Sequence, residues 1–269
     1  MEPAVVVLLL WLAFAAAHVG LGTARIRGTL VRRFGESGFT LLFSGVAAVL
    51  FAALVIYYAA NRFEGAPGLA LGGHPFERRA LMGSIGFGIA LMAASFASYD
   101  RSPYVVLGEP RSRQPRGLER VTRHPFFMGL TLFALAHVLL ATRLVGAVFM
   151  TGFAVLAFGG AWIQDRKLLE RRGEPFARYL GETSVVPFGA ILSGRQRLVW
   201  DELPLGGLAA GGLLAVALRG VHDGIFASGG APFLAAVLGG VAVILAASLG
   251  RRRTPASLPE ACAERRLLR

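Results

Sequence analysis

Seven stretches of this chain run for about 16 to 22 residues without a single Asp, Glu, Lys or Arg: 5–22, 39–60, 80–98, 126–142, 144–163, 203–218 and 231–250. At about 1.5 Å per helical residue, each is long enough to cross most or all of a hydrocarbon core. A backbone in lipid must satisfy its own N–H and C=O groups, so spans of this length are helices. The expected fold is therefore all-α: a polytopic transmembrane helical bundle of 6–7 spans. Composition agrees, since 55% of the 269 residues are hydrophobic, 16% are charged and mean hydropathy is +0.59. A water-soluble domain of this size cannot hide that much apolar surface. The first stretch lacks a basic leader and holds His18, so it reads as a retained helix and not a signal peptide. The sixth is short and glycine-rich, which leaves open a full span or a segment that enters and leaves on one face.

The formal charge of +12 is positional. Alternating connections, 23–38, 99–125, 164–202 and 251–269, carry 4, 6, 7 and 6 basic residues, whereas the intervening ones carry 3, 1 and 1. The positive-inside rule then puts the N-terminus outside and the C-terminus in the cytoplasm, consistent with a bacterial inner membrane. The arginines are an orientation signal and an attraction to anionic head groups, so no nucleic-acid partner is expected. Along the chain the divisions are 1–225 as the main membrane domain, 226–250 as an additional C-terminal span, and 251–269 as a polar basic tail. That tail holds the lone Cys262, which excludes an internal disulfide. Between spans, 164–180 sets Leu168, Leu169, Phe176 and Tyr179 among alternating charges, the pattern of a cytoplasmic interfacial helix interrupted near Gly173 and Pro175.

Chemistry is sparse, and the histidines carry most of it. His18 and His137 lie inside apolar spans, where an unpartnered polar group is costly. Either could make an interhelical hydrogen bond, but two on separate helices suggest a shared ligand. Two imidazoles without a carboxylate or thiolate nearby best suit the axial positions of a haem iron. Zinc or copper would want further ligands. Depth is a difficulty: His18 is 7 residues from Arg25 and His137 is 14 from Arg123, roughly 10 Å and 21 Å from the cytoplasmic edge. His124, in Arg123-His124-Pro125, reads as a helix cap or head-group contact. His74-Pro75 precedes the third span in the same way, so a His-Pro start alone carries little; His222 reads as a solvent-facing loop residue, Asp165-Arg166 as an anchor or salt bridge, and 183–188 as a loop folding back under the bundle. Phe126, Phe127, Phe133, Phe149, Phe153 and Phe158 either pack ordinarily or line a lateral opening for a long conjugated chain.

Several motifs in order resemble the NnrU family of integral membrane proteins, most of all its zeta-carotene isomerase branch. They are His18 with Gly20-Leu21, Gly35-Glu36, Leu42-Phe43 with Gly45, Tyr57, Arg62 with Gly65, Val121-Thr122-Arg123-His124-Pro125, Leu135-Ala136-His137, Gly160-Ala161-Trp162, Asp165-Arg166, Arg172-Gly173-Glu174, Thr183-Ser184-Val185-Val186-Pro187-Phe188 and Gly194-Arg195-Gln196. The resemblance runs from about Leu12 to His222. It implies haem b, with iron ligated by His18 and His137 as metal-binding and catalytic residues, and His124 and Arg123 beside the cofactor. It also implies redox-gated cis–trans isomerisation of a polyene such as zeta-carotene, delivered by the lipid bilayer, with an electron donor to reduce the iron. The carotenoid isomerases have a further required histidine between the two ligands, and 39–60 contains none, so haem binding transfers better than isomerase activity.

Two other readings remain open. Arg123-His124-Pro125 with Gly129, Glu170, Gly173, Phe176, Tyr179 and Pro187 also resemble isoprenylcysteine and phospholipid methyltransferases. There His124, Glu170 and Tyr179 would bind S-adenosylmethionine. The third reading is a non-enzymatic membrane accessory protein of nitrogen-oxide respiration.

Overall fold

The computed structural model describes residues 1–97, 104 and 114–253. Pro103 and Pro110, in the arginine-rich connection 99–125, and the tail from 254 with Cys262 lie outside these residues.

Among the described residues the protein is all-helical. Ten α-helices follow one another: α1 (Pro3–Leu21), α2 (Ala24–Asn61), α3 (Pro75–Ala97), α4 (Leu118–Val121), α5 (Pro125–Leu140), α6 (Leu144–Arg172), α7 (Glu174–Glu182), α8 (Gly189–Leu192), α9 (Leu205–Val221) and α10 (Ala231–Arg253). Five are long and apolar enough to cross a membrane: α1, α2, α3, α6 and the stretch Leu205–Gly224 containing α9. Pro125–Leu140 and Ala231–Val243 are shorter apolar helices. Proline near the start of α1, α5 and α7 suits positions whose N–H would have no helical partner.

Packing runs in the order α9, α3, α5, α6, α1, α2, α10. Backbones approach closely where α3 crosses α5 at Gly88 and Gly129: a methyl group on Gly129 would sit 2.9 Å from Met92 Cγ and 3.1 Å from its N. Small residues at such crossings let helices touch along their backbones, the usual solution where lipid supplies no hydrophobic drive. The larger core lies between α1, α2 and α6. Trp11 donates its indole N–H to the Phe149 carbonyl at 3.1 Å, and Phe149, fully buried, stacks on Tyr58 with ring centroids 3.9 Å apart. Phe226, Phe233 and Val237 pack onto this core, so the connection after α9 and the start of α10 belong to the same body.

One sequence expectation is altered, and three others are made specific. The connection 23–38 is helical, continuous with the second span and bent at Gly35 (φ 71°, ψ 172°), where Arg27 and Glu36 pair at 2.7 Å. The interfacial helix is divided: its first half prolongs α6 to Arg172, Gly173 turns the chain (φ 59°, ψ −138°), and α7 is a separate amphipathic helix with Phe176 and Tyr179 buried. The six phenylalanines do not line one opening. Phe149 and Phe153 are interlocked with Trp11 in the core, while Phe158 is exposed on α6. The sixth span is one unbroken helix, α9.

At the arginine-poor end, the segment after α2 ties the bundle together. Glu2 accepts from Ala66 N at 3.0 Å, Gly68 N and Ala70 N donate to Thr142 O and Ala141 O, and Leu144 N donates to Ala66 O at 2.8 Å. The start of α1, the end of α5 and the start of α6 therefore share one level.

Candidate functional site

Among the described residues the densest polar constellation sits at the other end, on Asp165 in the last turns of α6. Its carboxylate accepts three side-chain donors: Tyr104 hydroxyl at 2.7 Å and His124 Nε2 at 2.9 Å on Oδ1, and Arg123 Nε at 2.9 Å on Oδ2. A carboxylate only accepts, so Nε2 of His124 carries the proton. The Tyr104 ring lies over His124 with centroids 4.3 Å apart, and Phe176 and Tyr179 of α7 close the other side. Burial, reinforced by Tyr179 and Asp165, pushes the Tyr104 hydroxyl far above its ordinary range, so it remains a donor.

Residues 183–188 fold back against this joint. Arg123 N donates to Ser184 O at 2.9 Å, Thr122 Oγ1 to Val185 O at 2.6 Å, and Phe188 N to Val121 O at 2.7 Å. Arg123 Nη1 also reaches Thr183 O at 3.4 Å. Beside it, Arg120 pairs with Glu202 at 2.9 Å and donates to Gln196 at 2.7 Å. The Arg120 guanidinium, then the Gly117 N–H, hold the Glu202 carboxyl down to about 2. Sequence reading singled out His124, Arg123 and Asp165 separately. It missed that they converge, and it missed Tyr104, Thr122 and Glu202. His124 stands at the start of α5 as expected, but its side chain makes no cap bond; it is spent on Asp165. Asp165 pairs inward, whereas Arg166 turns outward to Trp162 and Glu170.

His18 and His137 are elsewhere and apart. His18 is exposed on α1, its ring against Phe14 and Phe43 at 5.4 and 4.8 Å. His137, near the end of α5, bonds through Nδ1 to Phe133 O at 2.8 Å, and its nearest histidine ring is His222 at 6.3 Å. From the shared level at the arginine-poor end, His137 lies 4 residues along α5 and His18 lies 16 along α1, roughly 6 and 24 Å. Trp11, halfway down α1, bonds Phe149 only 5 residues into α6, which fixes that depth. Two axial ligands must each reach one iron at about 2 Å, the usual metal–imidazole distance. His18 and His137 in this fold do not fit one haem. Among the described residues no three His, Cys, Asp or Glu side chains converge as a metal site. Nor are the methyltransferase residues assembled: Glu170 is exposed beside Arg166 at 3.7 Å, while His124 and Tyr179 flank Tyr104.

Fold and site together define a polytopic membrane protein whose polar chemistry is gathered in one buried joint at its arginine-rich end. The chain belongs to the NnrU family, whose model, described as NnrU protein, matches residues 6–250. The match takes in most of α10, beyond the stretch covered by the sequence motifs. Two relatives are the 15-cis-zeta-carotene isomerase, chloroplastic, of Arabidopsis thaliana, 33% identical over 206 residues, and that of Zea mays, 32% identical over 206. These alignments cover 74% and 73% of this chain and 54% and 53% of the relatives. The chain thus spans about half the length of the curated relatives it matches. No solved structure matches it.

Proposed function

We propose that the protein is a membrane-embedded cis–trans isomerase of a carotenoid-type polyene. The observation that carries this reading is the likeness, at 33% identity over 206 residues, to an enzyme named for zeta-carotene. Such a reaction gains and loses no atoms; it rotates a double bond in a hydrocarbon that already lives in the bilayer. In this reading the protein lies in a bacterial inner membrane, with the arginine-rich end cytoplasmic, a reading the charge asymmetry supports.

A substrate surface is available on α2. A shallow apolar depression of about 540 Å³, open along one side of α2, is lined by Leu41, Leu42, Gly45, Val46, Val49 and Leu50, along the stretch that carries Phe43. Phe43 in turn supports the exposed His18 ring. A polyene lying in this depression would have aromatic faces and one imidazole beside it. His18 then acts as a single residue of the substrate surface, with no redox step or electron donor assigned, because its partner for a shared iron is absent from this arrangement.

The test is turnover. Membranes containing the protein are incubated with 15-cis-zeta-carotene and the isomer ratio is followed by chromatography. Conversion above empty membranes is expected, reduced strongly by Leu42→Trp or Val46→Trp in the depression and by His18→Ala, and little by His137→Ala. No conversion with folded protein would leave a non-catalytic membrane protein instead.

A further inference from the structure

The arginine-poor end of the bundle holds only five basic residues, Arg62, Arg78, Arg79, Arg143 and Arg219. Three of the five line one cavity. Arg78 and Arg79, in the first turns of α3, meet Arg219, in the last turn of α9, around an opening of about 410 Å³ floored by Met82. The seam between these antiparallel helices explains the opening. Deeper in the bundle it is shut by glycine against alanine: a methyl group on Gly207 would sit 2.9 Å from Ala94 Cα, and one on Gly211 would sit 2.5 Å from Ala90 Cα. Toward the arginine-poor end the two helices bring Arg78, Arg79 and Met82 opposite Arg219, where the opening lies.

Glu77 and Asp223 share this end, but among the described residues neither is paired with the three cavity arginines, and Asp223 sits beside His222. Arg62 packs its guanidinium over Phe63 and donates to Ala59 O, and Arg143 donates to Gly65 O. By contrast, among the described residues the Arg78, Arg79 and Arg219 side chains make no ion pair or hydrogen bond. Three like charges around one cavity repel one another, and Arg78 and Arg79 also face the positive end of the α3 dipole. A guanidinium fork matches phosphate oxygens in pairs, and an anion would relieve all of these repulsions at once.

We propose that this cavity binds a phosphate-bearing anion, and that its source is the head group of an anionic phospholipid whose chains follow the apolar α3–α9 seam. The three guanidinia hold the phosphate at the water interface, and Met82 meets the glycerol and upper acyl region.

The full chain is placed in nanodiscs of phosphatidylcholine alone or with phosphatidylglycerol, and Tm is measured with and without inorganic phosphate in the buffer. Phosphatidylglycerol raises Tm of the parent, and native mass spectrometry finds retained phosphatidylglycerol. The double variant Arg78→Gln/Arg219→Gln loses most of both. A control of equal charge change at the other end, Arg25→Gln/Arg32→Gln, keeps the retained lipid. Retention that is the same in the parent and Arg78→Gln/Arg219→Gln overturns the site. Stabilisation by inorganic phosphate equal to that by phosphatidylglycerol, with no retained lipid, overturns the lipid as its source.

Discussion

The Asp165 carboxylate, itself largely buried, holds Tyr104, His124 and Arg123 at once, so its loss takes this shared acceptor from a half-buried guanidinium, the His124 imidazole and the Tyr104 hydroxyl. Breaking a buried pair from one side costs about 3–5 kcal/mol, because the remaining charge is stranded. Asp165→Ala is therefore expected to lower Tm steeply, while Asp165→Asn, which keeps one acceptor oxygen, falls between it and the parent. Equal Tm for the alanine variant and the parent in detergent would dismiss the joint as decoration. Glu202 makes a pH prediction. Its carboxyl is lowered from 4.5 to about 2, so it contributes stability that is complete above about pH 4.5 and is lost as pH falls toward 2. Glu202→Gln should flatten the fall of stability across that window. The sequence makes His124 conspicuous for standing before Pro125, and that adjacency suggests a cap; the true partner lies 41 residues away on another helix. No local pattern encodes such a pairing. The hint available in sequence is Asp165 itself, an acid just past the end of an uncharged run, where an unpaired carboxylate would be costly.

At the scale of elements, uncharged length carries most of the fold. The runs 5–22, 80–98, 126–142 and 144–163 each reappear as α1, α3, α5 or the apolar part of α6, because lipid permits few alternatives to a helix. Charge misleads where it is not a terminator. Arg25 through Glu36 read as a connection, yet Arg27 and Glu36 pair on the surface of α2 and the bend at Gly35 provides the turn. Which helices touch is less legible, since it depends on small residues at matching depths. Gly88 and Gly129 form one such pair, and their crossing predicts an asymmetric sensitivity. Gly129→Val would push α5 off Met92 and the α3 backbone; overpacking of this kind typically costs about 1–3 kcal/mol. Gly83→Val, on α3 with open space at its Cβ, should leave the thermal midpoint near that of the parent.

For the whole molecule, the order of helices decides what the histidines can do together. Charge counting gives α1 and α5 opposite directions through the membrane, so a residue late in α1 and a residue late in α5 fall at opposite ends. The hydrogen bonds joining Glu2, Ala66, Thr142 and Leu144 fix that register, and Trp11 on Phe149 fixes it again in the interior. Closing an axial gap of roughly 18 Å would require α1 to slide by about three helical turns against α6, breaking both sets of contacts. The molecule is thus predicted to give, on titration of the detergent-purified protein with haemin, no six-coordinate bis-imidazole spectrum that His18→Ala and His137→Ala each abolish. Any haem that binds should depend on one of the two at most. A spectrum lost equally in both variants, with their folds intact by circular dichroism, would mean that α1 and α5 meet in a second arrangement, and the substrate surface assigned to His18 would have to be redrawn around it.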